Sequence, residues 1–101
     1  MSSHEDLLEK LSGIEDRYSE LNDQLMLVGD DYQRAADLGI ERAEIETIVK
    51  RAGLYRRLLA QLDDASSLLN SQDEELRILA ESEVTDLEPQ IASLEKRIKT
   101  M

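Results

Sequence analysis

Side chains that could support catalysis or metal binding are few in this sequence. The only histidine, His4, lies close to the amino terminus, where chains are usually poorly ordered, so we expect it to take no part in a reaction. The sequence has no cysteine, which excludes disulfides and thiolate chemistry within it. Glu-x-x-His pairs, which build di-metal sites in helical proteins, do not occur.

Acidic residues form short clusters, namely Asp30 with Asp31, Asp63 with Asp64, and Asp73–Glu75. A calcium-binding loop places oxygen ligands at alternate positions around a fixed glycine, and the clusters lack this spacing. The four glycines stand singly, so a phosphate-binding loop is missing too. We interpret the clusters as helix caps or solvated helix faces. The sequence predicts no catalytic residue, no metal site and no cofactor, and therefore no enzyme.

A local concentration of positive charge interrupts the acidic background at Lys50, Arg51, Arg56 and Arg57. One hypothesis is a docking patch for RNA or for an acidic surface. The alternative is pairing with acidic neighbours such as Glu46 or Asp63, where each exposed pair contributes about 0–1 kcal/mol. The sequence favours pairing, and these four residues remain the candidate interaction patch.

The overall charge constrains the partner. The 101 residues include 23 acidic and 12 basic side chains, which gives a net charge of −11. Such a chain repels phosphate, so we expect no direct nucleic-acid binding, and a basic protein partner fits better. Neither a signal peptide nor an apolar stretch long enough to span a membrane is present. Together with the lack of cysteine, these absences predict a cytoplasmic protein without a membrane partner.

The first periodic segment predicts a helix over residues 4–28. Its apolar residues alternate at spacings of four and three, as in a coiled-coil seam: Leu7, Leu11, Ile14, Tyr18, Leu21, Leu25 and Val28. Ser2 or Ser3 can cap its start. Gly29 is a typical stop signal, and the following Asp30–Asp31 can cap a new helix.

A second helix is predicted over residues 33–69. Its apolar stripe is wide enough to serve two neighbours, so we place this helix between the other two. The stripe consists of Leu38, Ile45, Ile48, Ala52, Tyr55, Leu59, Leu62 and Leu69, flanked by Val49, Leu58, Ala65 and Leu68. Gly39 and Gly53 mark looser turns or close helix contacts, each at about 1 kcal/mol relative to Ala. A break is expected at Gly39.

The third helix is predicted over residues 72–101, with Ser71 and Glu74 as a capping box. Its stripe again has spacings of four and three: Leu76, Ala80, Val84, Leu87, Ile91, Leu94, Ile98 and Met101. Pro89 interrupts the stripe but leaves its phase unchanged on both sides. We therefore expect a kink near residues 85–88 instead of a helix end.

These elements predict an all-α fold in which three long, antiparallel, amphipathic helices form an elongated, coiled-coil-like bundle. Short connections between the helices require the antiparallel order. One helical domain would cover residues 1–101. The last stripe remains in phase up to Met101 without a stop signal, which indicates a fragment of a longer protein. Exposed seams would allow the isolated fragment to self-associate.

Three segments, in this order and spacing, resemble the N-terminal domain of bacterial class-I peptide chain release factors. They are LLEKLSGIEDRYSELNDQL, RAADLGIERAEIETIV and DEELRILAESEVTDLEPQIASLEKRI, and the resemblance extends from about Asp6 to Met101. The opening and the DEELRILAE stretch look more like the factor that reads UAA and UAG than like its UGA-reading paralogue. The resemblance therefore implies a role in translation termination.

In that family a Pro-x-Thr tripeptide reads the stop codon and a Gly-Gly-Gln loop triggers peptidyl-tRNA hydrolysis, both downstream of this domain. Here no Gly-Gly pair occurs, and the only proline, Pro89, is followed by Gln90 and Ile91. The resemblance implies a non-catalytic domain that contacts the stalk base of the ribosome and acts on the GTPase release factor. The competing hypothesis is a free-standing structural coiled coil or a chaperone-like helical interaction module.

Overall fold

The computed structural model describes residues 3–100, and side chains from residue 4 onward. It contains α1 (Ser3–Leu27), α2 (Tyr32–Ser67) and α3 (Glu74–Lys99), with no strand in the described part of the chain. The prediction of an all-α fold with three long helices is confirmed. Within residues 3–100, no helix is both long and apolar enough to cross a membrane.

The chain divides into two compact units, Met1–Ala52 and Gly53–Met101. The first unit pairs α1 with the first part of α2, and the second unit pairs the remainder of α2 with α3. In each unit a short turn joins the two helical segments, which requires them to run antiparallel. The prediction of a single helical domain over residues 1–101 stays a prediction.

The turn of the first unit follows the predicted stop and cap. Gly29 has a φ of +57°, a backbone conformation that glycine adopts without a steric penalty and that ends α1. Asp31 then caps α2, because the backbone N–H of Arg34 donates to its carboxylate at 3.0 Å. The cap predicted at Ser2 or Ser3 lies outside the described side chains.

The turn of the second unit corrects one prediction. The capping box at Ser71 and Glu74 is wrong, because α3 begins at Glu74 and Asp73 is its N-cap. The Asp73 carboxylate accepts from the N–H of Glu75 at 3.0 Å and from that of Leu76 at 3.3 Å. Ser71 supports the cap from outside the helix, since its hydroxyl accepts from the N–H of Asp73 at 3.1 Å. Ser71 and Asp73 can both cap a helix, and Asp73, which directly precedes the first residue of α3, is the N-cap.

The carboxyl end of α2 tightens before the predicted end at residue 69. The N–H of Leu68 donates to the Ala65 carbonyl at 3.1 Å, and the N–H of Leu69 donates to the Ser66 carbonyl at 3.2 Å. These bonds span three residues instead of four, so the α-helical pattern ends at Ser67.

The predicted stripes supply the buried side chains of both units. In the first unit the buried apolar residues are Leu7, Leu11, Leu21, Leu38 and Ala52. In the second unit they are Tyr55, Leu58, Ala65, Ala80, Leu87, Ile91, Leu94 and Ile98. Leu68 and Leu76, both assigned to stripes, are exposed because they lie beside the α2–α3 turn, and Met101 lies outside the described residues.

The break predicted at Gly39 is wrong, since α2 is continuous from Tyr32 to Ser67. A Cβ atom added at Gly39 would meet nothing within 4 Å, so the glycine is not needed for a close helix contact. It does not mark a looser turn either, because the residues around it are helical. At Gly53 the nearest atom to such a Cβ is the Arg57 Nη1, at an ordinary 3.8 Å. A penalty of about 1 kcal/mol per glycine does not interrupt a helix that is packed along its length.

Pro89 lies inside α3, which continues past it, as predicted, and ends at Lys99 before the predicted end at residue 101. Side chains make additional bonds to carbonyls in the turns before the proline. The Thr85 hydroxyl donates to the Glu81 carbonyl at 2.8 Å, and the Gln90 amide donates to the Asp86 carbonyl at 3.1 Å. The kink near residues 85–88 stays a prediction.

Candidate interaction surfaces

The acidic clusters serve mainly at helix ends. Asp31 and Asp73 are caps, and Glu74 and Glu75 occupy the first turn of α3, where negative charge favours the helix dipole. Asp64 contributes its carbonyl, which accepts from the Ser67 hydroxyl at 2.7 Å. No group of three or more His, Cys, Asp or Glu among the described residues could hold a metal ion. His4 lies in the first turn of α1.

The candidate basic patch lies entirely on α2, but its residues belong to two units. In the first unit Lys50 is exposed and its ammonium lies 3.9 Å from the Glu46 carboxylate, a long ion pair. Arg51 is half-buried and points about 100° away around the helix. In the second unit Arg56 and Arg57 are exposed and differ by the same angle. Neither pair of neighbours shares one helix face.

The first unit is linked by a two-pronged ion pair between its helices. Arg17 of α1 donates from Nε and Nη2 to the two carboxylate oxygens of Glu41 on α2, at 2.5 and 2.8 Å. Its Nη1 donates to Glu20 at 3.0 Å. The hydrogen bond to Glu41 raises the pKa of Arg17, and the same bond lowers the pKa of Glu41. Because the partners are partly exposed, this geometry fixes the register more than it stabilises the fold.

A second link lies beside it. Arg42 of α2 donates from Nε to the Asn22 side-chain oxygen at 2.5 Å. The same guanidinium lies 4.8 Å from the centre of the Tyr18 ring, which is a cation–π contact. Two arginines, one on each helix, thus reach across the first unit.

A hydrogen bond from a buried tyrosine to a half-buried glutamate joins the helices of the second unit. Tyr55 of α2 is 0% exposed, and its hydroxyl donates to a carboxylate oxygen of Glu95 on α3 at 2.9 Å. Burial, followed by the hydrogen bond to Glu95, raises the pKa of Tyr55 above its ordinary range. The sequence placed Tyr55 in the seam but did not identify Glu95, because seam positions were assigned from apolar residues alone.

Each unit carries a shallow groove with apolar residues in its lining. In the first unit a groove of about 370 Å³ is lined by Gln24, Leu27, Val28, Asp31 and Arg34. In the second unit a groove of about 380 Å³ is lined by Leu54, Leu58, Pro89, Gln90, Ser93, Leu94 and Arg97. Neither brings together the acid, base and nucleophile that catalysis requires.

Large apolar side chains outside the stripes remain exposed, and sequence reasoning missed them. Those with at least half of their surface exposed are Met26, Leu27, Tyr32, Ile40, Ile78 and Leu79. The sequence signal for their exposure was that each is an apolar residue outside the four-and-three spacing. A side chain at such a position cannot pack in the seam, so it either contacts another surface or stays exposed to water.

Comparisons with known proteins agree on one family. The model of the PCRF domain matches residues 14–101. Peptide chain release factor 1 of Anaeromyxobacter dehalogenans is 38% identical over 96 residues, which cover 93% of this chain and 26% of that protein. Peptide chain release factor 1 of a Nitratiruptor species is 37% identical over 97 residues, covering 94% of this chain and 27% of that protein. No solved structure gives a significant match.

Proposed function

Because the chain belongs to the PCRF domain family, we propose that it acts in translation termination, as the non-catalytic N-terminal helical domain of a stop-codon-recognising peptide chain release factor. The match of the PCRF model to residues 14–101 is the observation that carries this proposal. The resemblance stated from the sequence points to the same family. Since the named relatives are release factors 1, we further propose the type that reads UAA and UAG.

The chain spans only about a quarter of the length of these relatives. Codon reading and peptide release are therefore assigned to sequence outside it, and the helical domain is proposed to contribute binding and orientation. The ribosome is the proposed partner, through a stalk-base protein, together with the GTPase release factor. A ribosomal partner implies a cytoplasmic location.

Lys50 and Arg51 of the first unit, and separately Arg56 and Arg57 of the second unit, are proposed to contact acidic groups in this complex. The support is their concentration on α2 within an acidic chain and the long distance of the Lys50–Glu46 pair. Simultaneous Lys50→Glu and Arg57→Glu substitution should then weaken ribosome binding without changing the fold. Equal binding by this variant would leave Lys50 and Arg57 as ordinary surface charges.

The test of the function uses the full-length protein that carries the chain. We expect its gene to encode a Gly-Gly-Gln motif downstream, and the protein to release peptide from ribosomes stalled at UAA and UAG. Deleting residues 1–101 should leave release at saturating factor concentration nearly unchanged but raise the half-saturating concentration about tenfold or more. A reading frame that stops at Met101, or unchanged kinetics at limiting factor, would contradict the proposal.

The second candidate is a free-standing structural coiled coil or chaperone-like helical interaction module. The observation that favours this second candidate is the set of exposed large apolar side chains, which could mediate self-association. Co-sedimentation of the full-length protein with purified ribosomes separates the two candidates. A release factor sediments with ribosomes that carry a stop codon in the decoding site, whereas a structural coiled coil does not.

A further inference from the structure

Three large apolar side chains surround the turn between α1 and α2. Met26 is 83% exposed, Leu27 84% and Tyr32 79%, the highest exposures among the large apolar residues described. We call these three residues the turn patch. Concentrations of exposed apolar side chains usually mark an interaction site, and Tyr and Met are enriched where proteins meet.

Hydrogen bonds connect the backbone of the turn that carries the turn patch. Gly29 adopts its left-handed conformation, and the N–H of Asp31 donates to the Val28 carbonyl at 3.1 Å. The Asp31 side chain caps α2. A partner that binds here therefore orders few additional residues, which lowers the entropic cost of binding.

The charge around the turn patch selects among possible occupants. Residues 21–37 contain four carboxylates (Asp23, Asp30, Asp31 and Asp37) and one arginine, Arg34, so the segment carries a net charge of 1 − 4 = −3. A second copy of the chain would bring the same negative charge, and RNA would bring phosphate. A basic protein surface is the occupant that this charge attracts.

We propose that the turn patch is a docking site for a basic protein surface with an apolar pocket. This inference rests on the proposed function, and the partner is therefore a ribosomal protein. The pocket would receive Leu27, Met26 and Tyr32, while its basic rim would pair with Asp23 and Asp30. Leu27 also lines a groove together with Val28 and Arg34, so the patch adjoins a concave surface.

The first experiment measures binding of the full-length protein to purified ribosomes. Simultaneous Met26→Ser, Leu27→Ser and Tyr32→Ser substitution should weaken binding about tenfold or more, because a few large anchor side chains contribute most of the binding energy of an interface. Ile40→Ser is the matched control, since Ile40 is exposed in the same unit but lies outside the patch. Helix content and urea midpoint of each variant exclude unfolding as the cause.

The result separates this inference from the proposed function. Wild-type protein that does not bind ribosomes overturns both. Wild-type and triple-substituted protein that bind equally well overturn the turn patch alone. Asp23→Asn with Asp30→Asn should slow association and reduce its dependence on salt, since charges at the rim of an interface act mainly on encounter.

A second experiment identifies the occupant. Leu27 is replaced by the photoreactive residue p-benzoylphenylalanine, and the protein is irradiated with purified ribosomes. We expect a crosslinked product whose size nuclease leaves unchanged, with none from the same replacement at Ile40. A nuclease-sensitive product, or crosslinked dimers of the protein formed without ribosomes, would overturn the assignment to a basic protein.

Discussion

The two units join a pair of antiparallel helical segments by different means. In the first unit the polar links, Arg17–Glu41 and Arg42–Asn22, lie at the partly exposed edge of the helix pair. In the second unit the polar link is made by Tyr55, whose side chain is fully buried. Exposed ion pairs specify register at little gain in stability, whereas buried side chains supply most of the stability. The comparison therefore predicts different responses to mutation, pH and salt.

The turns differ in the same way. The first turn depends on a backbone conformation, the positive φ of Gly29. The second has no positive φ and depends on side chains, because Ser71 and Asp73 accept hydrogen bonds from backbone N–H groups. A substitution in the first turn acts through backbone strain, and one in the second acts through a lost cap.

The largest expected effect comes from truncating one buried leucine in the core of each unit. Leu21→Ala in the first unit and Leu94→Ala in the second should each lower the free energy of unfolding by about 2–5 kcal/mol, because both leucines are buried and leave a cavity. Hydrogen exchange, followed amide by amide, reports which helices open. Each variant should accelerate exchange mainly in its own unit, with Ile40→Ala as the exposed control. Equal acceleration throughout the chain would mean that the units unfold as one.

Pro89→Ala should act in the opposite direction. Alanine restores a backbone N–H that can donate to the Thr85 carbonyl and removes the crowding by the proline ring, so we expect the free energy of unfolding to rise by about 1–3 kcal/mol. Urea denaturation measures the gain. A loss of stability would support the predicted kink near residues 85–88 as a feature that the second unit needs.

Tyr55→Phe tests the buried link of the second unit. Losing the hydrogen bond to Glu95 should cost about 1–2 kcal/mol. Since burial raises the pKa of Tyr55 in the folded state, its protonated form is favoured there. The associated stability is present below the ordinary tyrosine pKa of about 10 and is lost as the pH rises through the raised value. Urea midpoints measured above about pH 10 should fall less steeply for Tyr55→Phe than for the wild type.

Gly29→Ala tests the turn of the first unit. A Cβ atom at a φ of +57° costs about 1 kcal/mol, although the space around it is open. Gly39→Ala is the matched control, because Gly39 lies in a helix with equally open surroundings and should gain up to about 1 kcal/mol. The two changes should therefore shift the urea midpoint in opposite directions. A shift of the same sign in both would contradict the role assigned to Gly29.

The stripes made most of the fold predictable. Apolar spacing identified all three helices, and Gly29 with Asp31 located the first turn, since one residue supplies the conformation and the other the cap. The second turn was less predictable. Ser71 and Asp73 can both cap a helix, and the choice between them depends on how the α2 end tightens into bonds that span three residues.

The candidate surfaces were less accessible to sequence reasoning than the fold. The sequence shows that the basic residues of α2 are close along the chain. It does not show that they form one surface, because a helix distributes neighbouring side chains over different faces. Met26, Leu27 and Tyr32 were overlooked because the stripes account only for residues that face a partner helix. Their exposure follows from where the helices end, which is decided by packing and capping and not by local spacing.

The smallest effect is expected at the surface link of the first unit. Arg17→Met and Glu41→Gln, alone and together, should shift the urea midpoint less than any change above, because both side chains are partly exposed. Because the pKa of Glu41 is lowered in the folded state, the contribution of its carboxylate to stability is present above the ordinary glutamate pKa. That contribution is lost as the pH falls through the lowered value. In about 1 M salt the coupling between the two substitutions should shrink further, since the ion pair is screened. A coupling larger than the loss in Tyr55→Phe would reverse the comparison, because the partly exposed ion pair would then stabilise its unit more than the hydrogen bond of the buried Tyr55 stabilises the other.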